Sequence, residues 1–124
     1  MRRWLMDAVT GDEPVGLVDV VLAGFVRVAT HPRVFTTPAP ADAAFRFVDV
    51  LRAQPAAVPV LPGGRHWEIF RRLCDAAAAR GNLAADAYLA AIAIEAGGEW
   101  ITTDRDFSRF PGLRWRHPLA GPGG

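Results

Sequence analysis

The chain has 124 residues, 51% of them hydrophobic and 22% charged, with a formal net charge of +1. That is one globular domain's worth, able to bury roughly two thirds of its unfolded surface without staples. A single cysteine, Cys74, excludes an intramolecular disulfide and a zinc ribbon. All 14 basic residues are arginine and the only serine is Ser108, which removes P-loop, Schiff-base and GxSxG chemistry.

Met1 to Asp7 meets an acid too early for a signal peptide. No apolar run reaches the roughly 18 residues of a membrane span, because Asp19 and Arg27 interrupt the best candidate. A soluble, cytoplasmic protein is expected. Arg2 to Val9 carries apolar residues at helical spacing, stopped by Gly11-Asp12, and Pro14 to Leu17 reads as extended. Val18 to Ala29 puts Val18, Val21, Leu22, Phe25 and Val28 on one helical stripe, and His31-Pro32 ends it. After a linker, Thr36 to Pro40, a helix opens near Asp42, buries Ala44, Phe45, Val48 and Leu51, and closes at Pro55.

Val58 to Leu61 reads as a short strand, placed at an edge or a strand start by Pro59. Pro62-Gly63-Gly64 turns the chain into a helix over Arg65 to Ala79, ended by Arg80-Gly81. Asn82 is the expected N-cap of a nearly all-apolar, deeply buried helix, Leu83 to Ala96, with Gly97-Gly98 as its C-cap. Glu99 to Thr103 is β-rich, Leu113 to Trp115 is a last short strand, and residues 120–124 form a flexible tail. Strands alternating with helices predict one α/β domain over residues 1–124, with a parallel sheet whose ligands sit at the carboxyl ends of the strands.

Two acidic features stand out. Asp86 lies in the opening turns of the apolar helix, where the plain structural alternative is a carboxylate placed to suit the helix dipole. Asp104-Arg105-Asp106 follows the β-rich run, where the alternative is an Asp turn capping a short 3₁₀ segment at Ser108 to Phe110. Together they suggest a carboxylate site for a hard cation. His31, His66 and His117 lack metal spacing and are expected at the surface or in caps, and Cys74 as a small buried hydrophobe. Trp4, Trp67, Trp100 and Trp115 are too evenly spread for a stacking platform, so most are expected in the core. Arg2-Arg3 and Arg71-Arg72 read as solvated helix faces.

Asn82 to Ala91 followed by Thr102 to Leu113 resembles the C-terminal half of a PIN-domain toxin of the VapC type. Gly24 to Phe35 is similar to the second-helix region of the same group, and Leu113 to Leu119 fits its ending. The resemblance implies a PIN-like three-layer α/β/α fold and an Mg²⁺- or Mn²⁺-dependent endoribonuclease. It also implies neutralisation by a VapB-type antitoxin and assembly as a homodimer. Asp86 matches the family's helix-start ligand, Asp104 the strand-end acid and Asp106 its neighbour; Arg27, Arg105 and Arg109 are candidate phosphate contacts.

Two departures accompany the resemblance. Gly24 stands where the family carries a second-helix glutamate, and Asp19, about 140° away around the helix, does not replace it. The family also opens with a central strand bearing a first aspartate, and this chain begins in the helix after it. These departures predict a weak metal site and self-association, and support an alternative function: a catalytically impaired PIN-like module that binds antitoxin.

Overall fold

The computed structural model describes residues 2–31 and 40–119, with side chains from residue 6 onward. Most of the predicted linker (36–39), Pro32 and the predicted tail (120–124) lie outside the described residues. The chain divides into two compact units, Met1–Leu61 and Pro62–Gly124.

In the first unit, helix α1 (Arg2–Val9) ends where the Thr10 hydroxyl donates to Met6 O at 2.7 Å. Strand β1 (Val15–Val18) runs directly into α2 (Asp19–Ala29), and α3 (Ala41–Ala53) leads to strand β2 (Ala57–Val60). β1 and β2 pair in parallel with Gly16 opposite Val58 and Leu17 opposite Pro59. Pro59 has no N–H to give a second neighbour, as an edge strand allows. Val9, Leu17 and Leu51 form the core, flanked by Leu22 and Phe47.

The predicted α2 stripe is only partly buried. Leu22 and Phe25 are half-buried, but Val21 and Val28 are 43% and 37% exposed, and the fully buried residue is Ala29. Phe25 meets Phe47 of α3 at 5.3 Å. That contact covers a narrower face than the hydrophobic stripe offers. Phe45 of α3, expected inside, is also exposed.

In the second unit, α4 (His66–Ala77) and α5 (Asn82–Ala96) pack as a helical hairpin. Alanines on α5 permit close approach: Ala87, Ala90 and Ala91 are fully buried against Ile69 and Leu73 of α4. Strands β3 (Trp100–Ile101) and β4 (Trp115–Arg116) pair in parallel across a 3₁₀ helix, Arg105–Arg109. Gly97, at φ +72°, closes α5 as predicted.

Three expectations are corrected here. α4 stops at Ala77 because Ala78 adopts the left-handed conformation, φ +49°, and the Ala79 N–H bonds back to Cys74 O. Asn82 is the first residue of α5 rather than its cap; Gly81 takes that position with φ +53° and no side-chain cap. His66 is buried, 3% exposed, because its Nε2–H donates to Tyr88 O at 2.9 Å and its ring packs edge-on against Tyr88. Trp67, in turn, stands 68% exposed and outside the core. Among the described residues no helix is long and apolar enough to cross a membrane.

Candidate active site

The predicted acids come together in the second unit through the packing of their neighbours. Asp86 precedes Ala87, and Asp106 precedes Phe107; Ala87, Phe107 and Phe110 belong to one buried cluster. Burying Ala87 and Phe107 against the same core sets the adjoining carboxylates near one another at its rim. Phe107 is further pinned by Trp100 at 5.4 Å and Phe110 at 5.9 Å.

The loop after β3 is shaped by its own side chains. Thr102 N–H extends the ladder to Arg116 O at 3.1 Å, and Thr102 Oγ1 accepts from the Asp104 N–H at 3.1 Å. Asp104 Oδ1 accepts the Asp106 N–H at 2.8 Å, capping the 3₁₀ helix. The structural role weighed for Asp104 is therefore real, and it leaves the rest of the carboxylate exposed. Asp106 Oδ1 stands 3.9 Å from Arg109 Nε, a pair more than half exposed on both sides and so worth little.

Asp86 is half-buried on α5, and its carboxyl is pushed above the usual aspartate range. Desolvation is the largest cause, followed by repulsion from Asp104 and then from Asp106. The three acids thus share one electrostatic field. Among the described residues, however, no three metal-ligating side chains sit close enough to hold one ion. The donor set is all carboxylate oxygen, the chemistry of a hard cation that keeps much of its water. Asp86 and the free oxygen of Asp104 are the groups that could hold it.

Arg105 is exposed on the 3₁₀ helix beside these acids, whereas Arg27 lies exposed on α2 of the first unit. A small cavity of ≈ 90 Å³ in the first unit, lined by Leu17, Asp19, Arg52, Ala57 and Pro59, contains none of the predicted acids. Sequence reasoning missed Thr102 as the acceptor fixing the Asp104 backbone; the Thr-x-Asp spacing of a hydroxyl turn carried that signal. It also missed Glu95, whose carboxylate binds two backbone N–H groups at the entry to α4.

The PIN domain family matches residues 1–113. VapC ribonuclease Mb2897 of Mycobacterium bovis is 54% identical over 110 residues, which are 89% of this chain and 75% of that protein. Ribonuclease VapC31 of Mycobacterium tuberculosis is 42% identical over 118 residues, 95% of this chain and 83% of its own length. Among solved structures, VapBC2 from Rickettsia felis bound to a DNA fragment from their promoter is similar with a TM-score of 0.65. That match covers 90% of this chain and 80% of the other at 14% identity, and it shows the fold. The family match, the extensive identity and the α/β architecture lead to one conclusion: the chain belongs to the PIN-domain family, among its VapC ribonucleases.

Proposed function

We propose that this chain is an endoribonuclease toxin of the VapC type, dependent on Mg²⁺ or Mn²⁺, with Asp86 and Asp104 as metal ligands. The observation that carries this reading is the elevated Asp86 carboxyl, raised in part by Asp104 and Asp106 in a protein whose relatives are VapC ribonucleases. Mutually repelling carboxylates are relieved by a dication. When bound, such an ion supplies water activation and neutralises charge on the scissile phosphate.

Of the chain's own residues, Asp86 presents its carboxylate from α5, Asp104 presents one oxygen while the other holds the 3₁₀ helix, and Asp106 adds negative charge. Arg105 and Arg109 lie on the same 3₁₀ helix and are proposed to contact RNA phosphates, with Arg27 a further candidate. Residues 1–124 are proposed to work as a single PIN-like domain, because the family match spans both compact units. A VapB-type antitoxin is the proposed partner, supported by the likeness to VapBC2, and the cytoplasm is the proposed site of action. Exposed Val20, Val21, Phe45 and Val50 on α2 and α3 support assembly as a homodimer.

The test is cleavage of RNA by the purified chain with and without Mg²⁺, beside Asp86→Asn. Metal-dependent cleavage lost in Asp86→Asn is expected; equal cleavage by both proteins sinks the assignment. A second reading, a catalytically impaired module that binds antitoxin, is favoured by Gly24 in place of the family's glutamate. An added Cβ at Gly24 meets nothing within 4 Å, so a side chain can start there without a clash, and Gly24→Glu is the variant to make. If the chain binds antitoxin without cleaving RNA, and Gly24→Glu cleaves, the second reading holds.

A further inference from the structure

Trp67 is a large aromatic residue, 68% exposed, on the first turn of α4. Core side chains hold it from behind. Its ring meets Phe70 at 5.3 Å and 63°; Phe70 meets Tyr88 at 5.6 Å and 77°, and lies parallel to His66 at 6.1 Å. His66 is locked by its hydrogen bond to Tyr88 O. The exposed indole is thus backed by an interlocked set of rings, and binding to it forfeits little side-chain freedom.

Arg71 follows Trp67 by one helical turn, on the same face, and is exposed. Among the described residues neither Arg71 nor Arg72 makes an ion pair. An apolar protein partner would be met poorly by a free guanidinium beside the indole. A flat ring with a cation about 6 Å farther along the helix suits a nucleobase and its phosphate. Tyr88 and Asp86 are about 200° apart around α5, so this surface and the acids face different sides of that helix.

We propose that Trp67 and Arg71 form an anchoring subsite for single-stranded RNA, the indole stacking on a base and Arg71 contacting a phosphate. The subsite lies apart from the acids and rests on the RNA-directed function proposed above. It binds through stacking, so it tolerates any base, and it retains RNA without taking part in bond cleavage.

The experiment measures equilibrium binding of a single-stranded RNA of about 16 nucleotides, in EDTA so that no cleavage intervenes. Proteins compared are the full chain, Trp67→Phe, Trp67→Leu, Trp67→Ala and Arg71→Gln, with circular dichroism checking that each is folded. Loss of the stack should weaken binding about fivefold or more in Trp67→Ala and Trp67→Leu, with Trp67→Phe retaining most of it. Arg71→Gln should lower the slope of log affinity against log salt by about 0.7.

Binding by Trp67→Ala equal to that of the full chain overturns the subsite, while metal-dependent cleavage in the same preparation leaves the ribonuclease reading standing. Trp67-dependent binding by a chain that never cleaves RNA supports the subsite and removes the ribonuclease reading. Failure of the full chain to bind RNA overturns the subsite. So does an outcome in which Trp67→Ala alters only antitoxin binding or the oligomeric state.

Discussion

The backbone N–H of Gly63 donates to Glu95 Oε1 at 2.7 Å, across 32 residues of sequence, and the Arg65 N–H donates to the other oxygen at 2.8 Å. One carboxylate at the end of α5 therefore ties down the loop that starts α4. Space at Gly63 is required for it: a Cβ there would stand 2.8 Å from the same carboxylate. The two backbone bonds are the main reason the Glu95 carboxyl lies below its ordinary value of 4.5; desolvation opposes them, and smaller electrostatic contributions from the neighbouring His66 and Arg65 add to the lowering.

A carboxyl whose folded value is depressed stabilises the fold when ionised. The contribution is fully present above the ordinary value of 4.5 and is lost as pH falls through the lower folded value. Glu95→Gln should therefore melt below the full chain at neutral pH, and the gap between the two should narrow as the solution is acidified below that point. Thermal unfolding followed from pH 7 downwards reads it. A gap that is constant across the range would show that the charge on Glu95 is not what holds the loop.

Asp86 is under the opposite pressure. Burial and two neighbouring acids disfavour its ionised form, so at pH 7 its charge works against folding. In EDTA, Asp86→Asn should melt above the full chain. Adding Mg²⁺ should raise the melting temperature of the full chain and leave that of Asp86→Asn nearly unchanged, because a ligand that binds only the folded state stabilises it by mass action. Equal Mg²⁺ shifts in the two proteins would place the ion elsewhere.

Asp104 caps the 3₁₀ helix and is proposed to hold the metal, two roles that substitution can separate. Asparagine keeps the oxygen that accepts from the Asp106 N–H and removes the charge; alanine removes both. Asp104→Asn should lose most RNA cleavage with little change in stability, while Asp104→Ala should in addition lose about 1 kcal/mol, the usual value of a cap. Urea denaturation beside a cleavage assay distinguishes them. Asp106→Asn, which gives up an exposed 3.9 Å pair with Arg109 and the weaker of the two repulsions on Asp86, should retain more activity than Asp104→Asn. The reverse order would make Asp106 the more important acid.

Local signals in the sequence were the ones that survived folding. The 3.6-residue periodicity placed α4, the nearly all-apolar run placed α5, Gly97 marked its end, and Asp104-Arg105-Asp106 signalled an Asp cap, although the 3₁₀ helix it caps is Arg105–Arg109 rather than Ser108 to Phe110. What was lost depended on distant partners. His66 looked like a surface histidine because nothing nearby in sequence revealed that Tyr88 O would accept from it. Of the tryptophans, most of which are expected in the core, Trp67 stands outside it, because hydrophobicity does not say which side of an amphipathic helix a ring occupies at its edge. The approach of Asp86 to Asp104 follows from Ala87 and Phe107 sharing a core cluster, which periodicity alone does not report; the family resemblance did.

Gly16 and Gly24 carry opposite expectations in the first unit. Gly24 is inside α2, and a Cβ there meets nothing within 4 Å, so Gly24→Ala should stabilise the protein by about 0.5–1 kcal/mol through helix propensity. Gly16 lies in β1, and its Cβ would come within 2.8 Å of Val60 Cγ2 on β2. Val60 is β-branched and stiff at χ1, so it yields only by moving backbone. Gly16→Ala should accordingly destabilise by about 1–3 kcal/mol, the usual range for overpacking. Urea midpoints of the two single variants, at matched slope, give both numbers. A stabilising Gly16→Ala would mean that the β1–β2 ladder has more slack than the Gly16–Val60 approach implies.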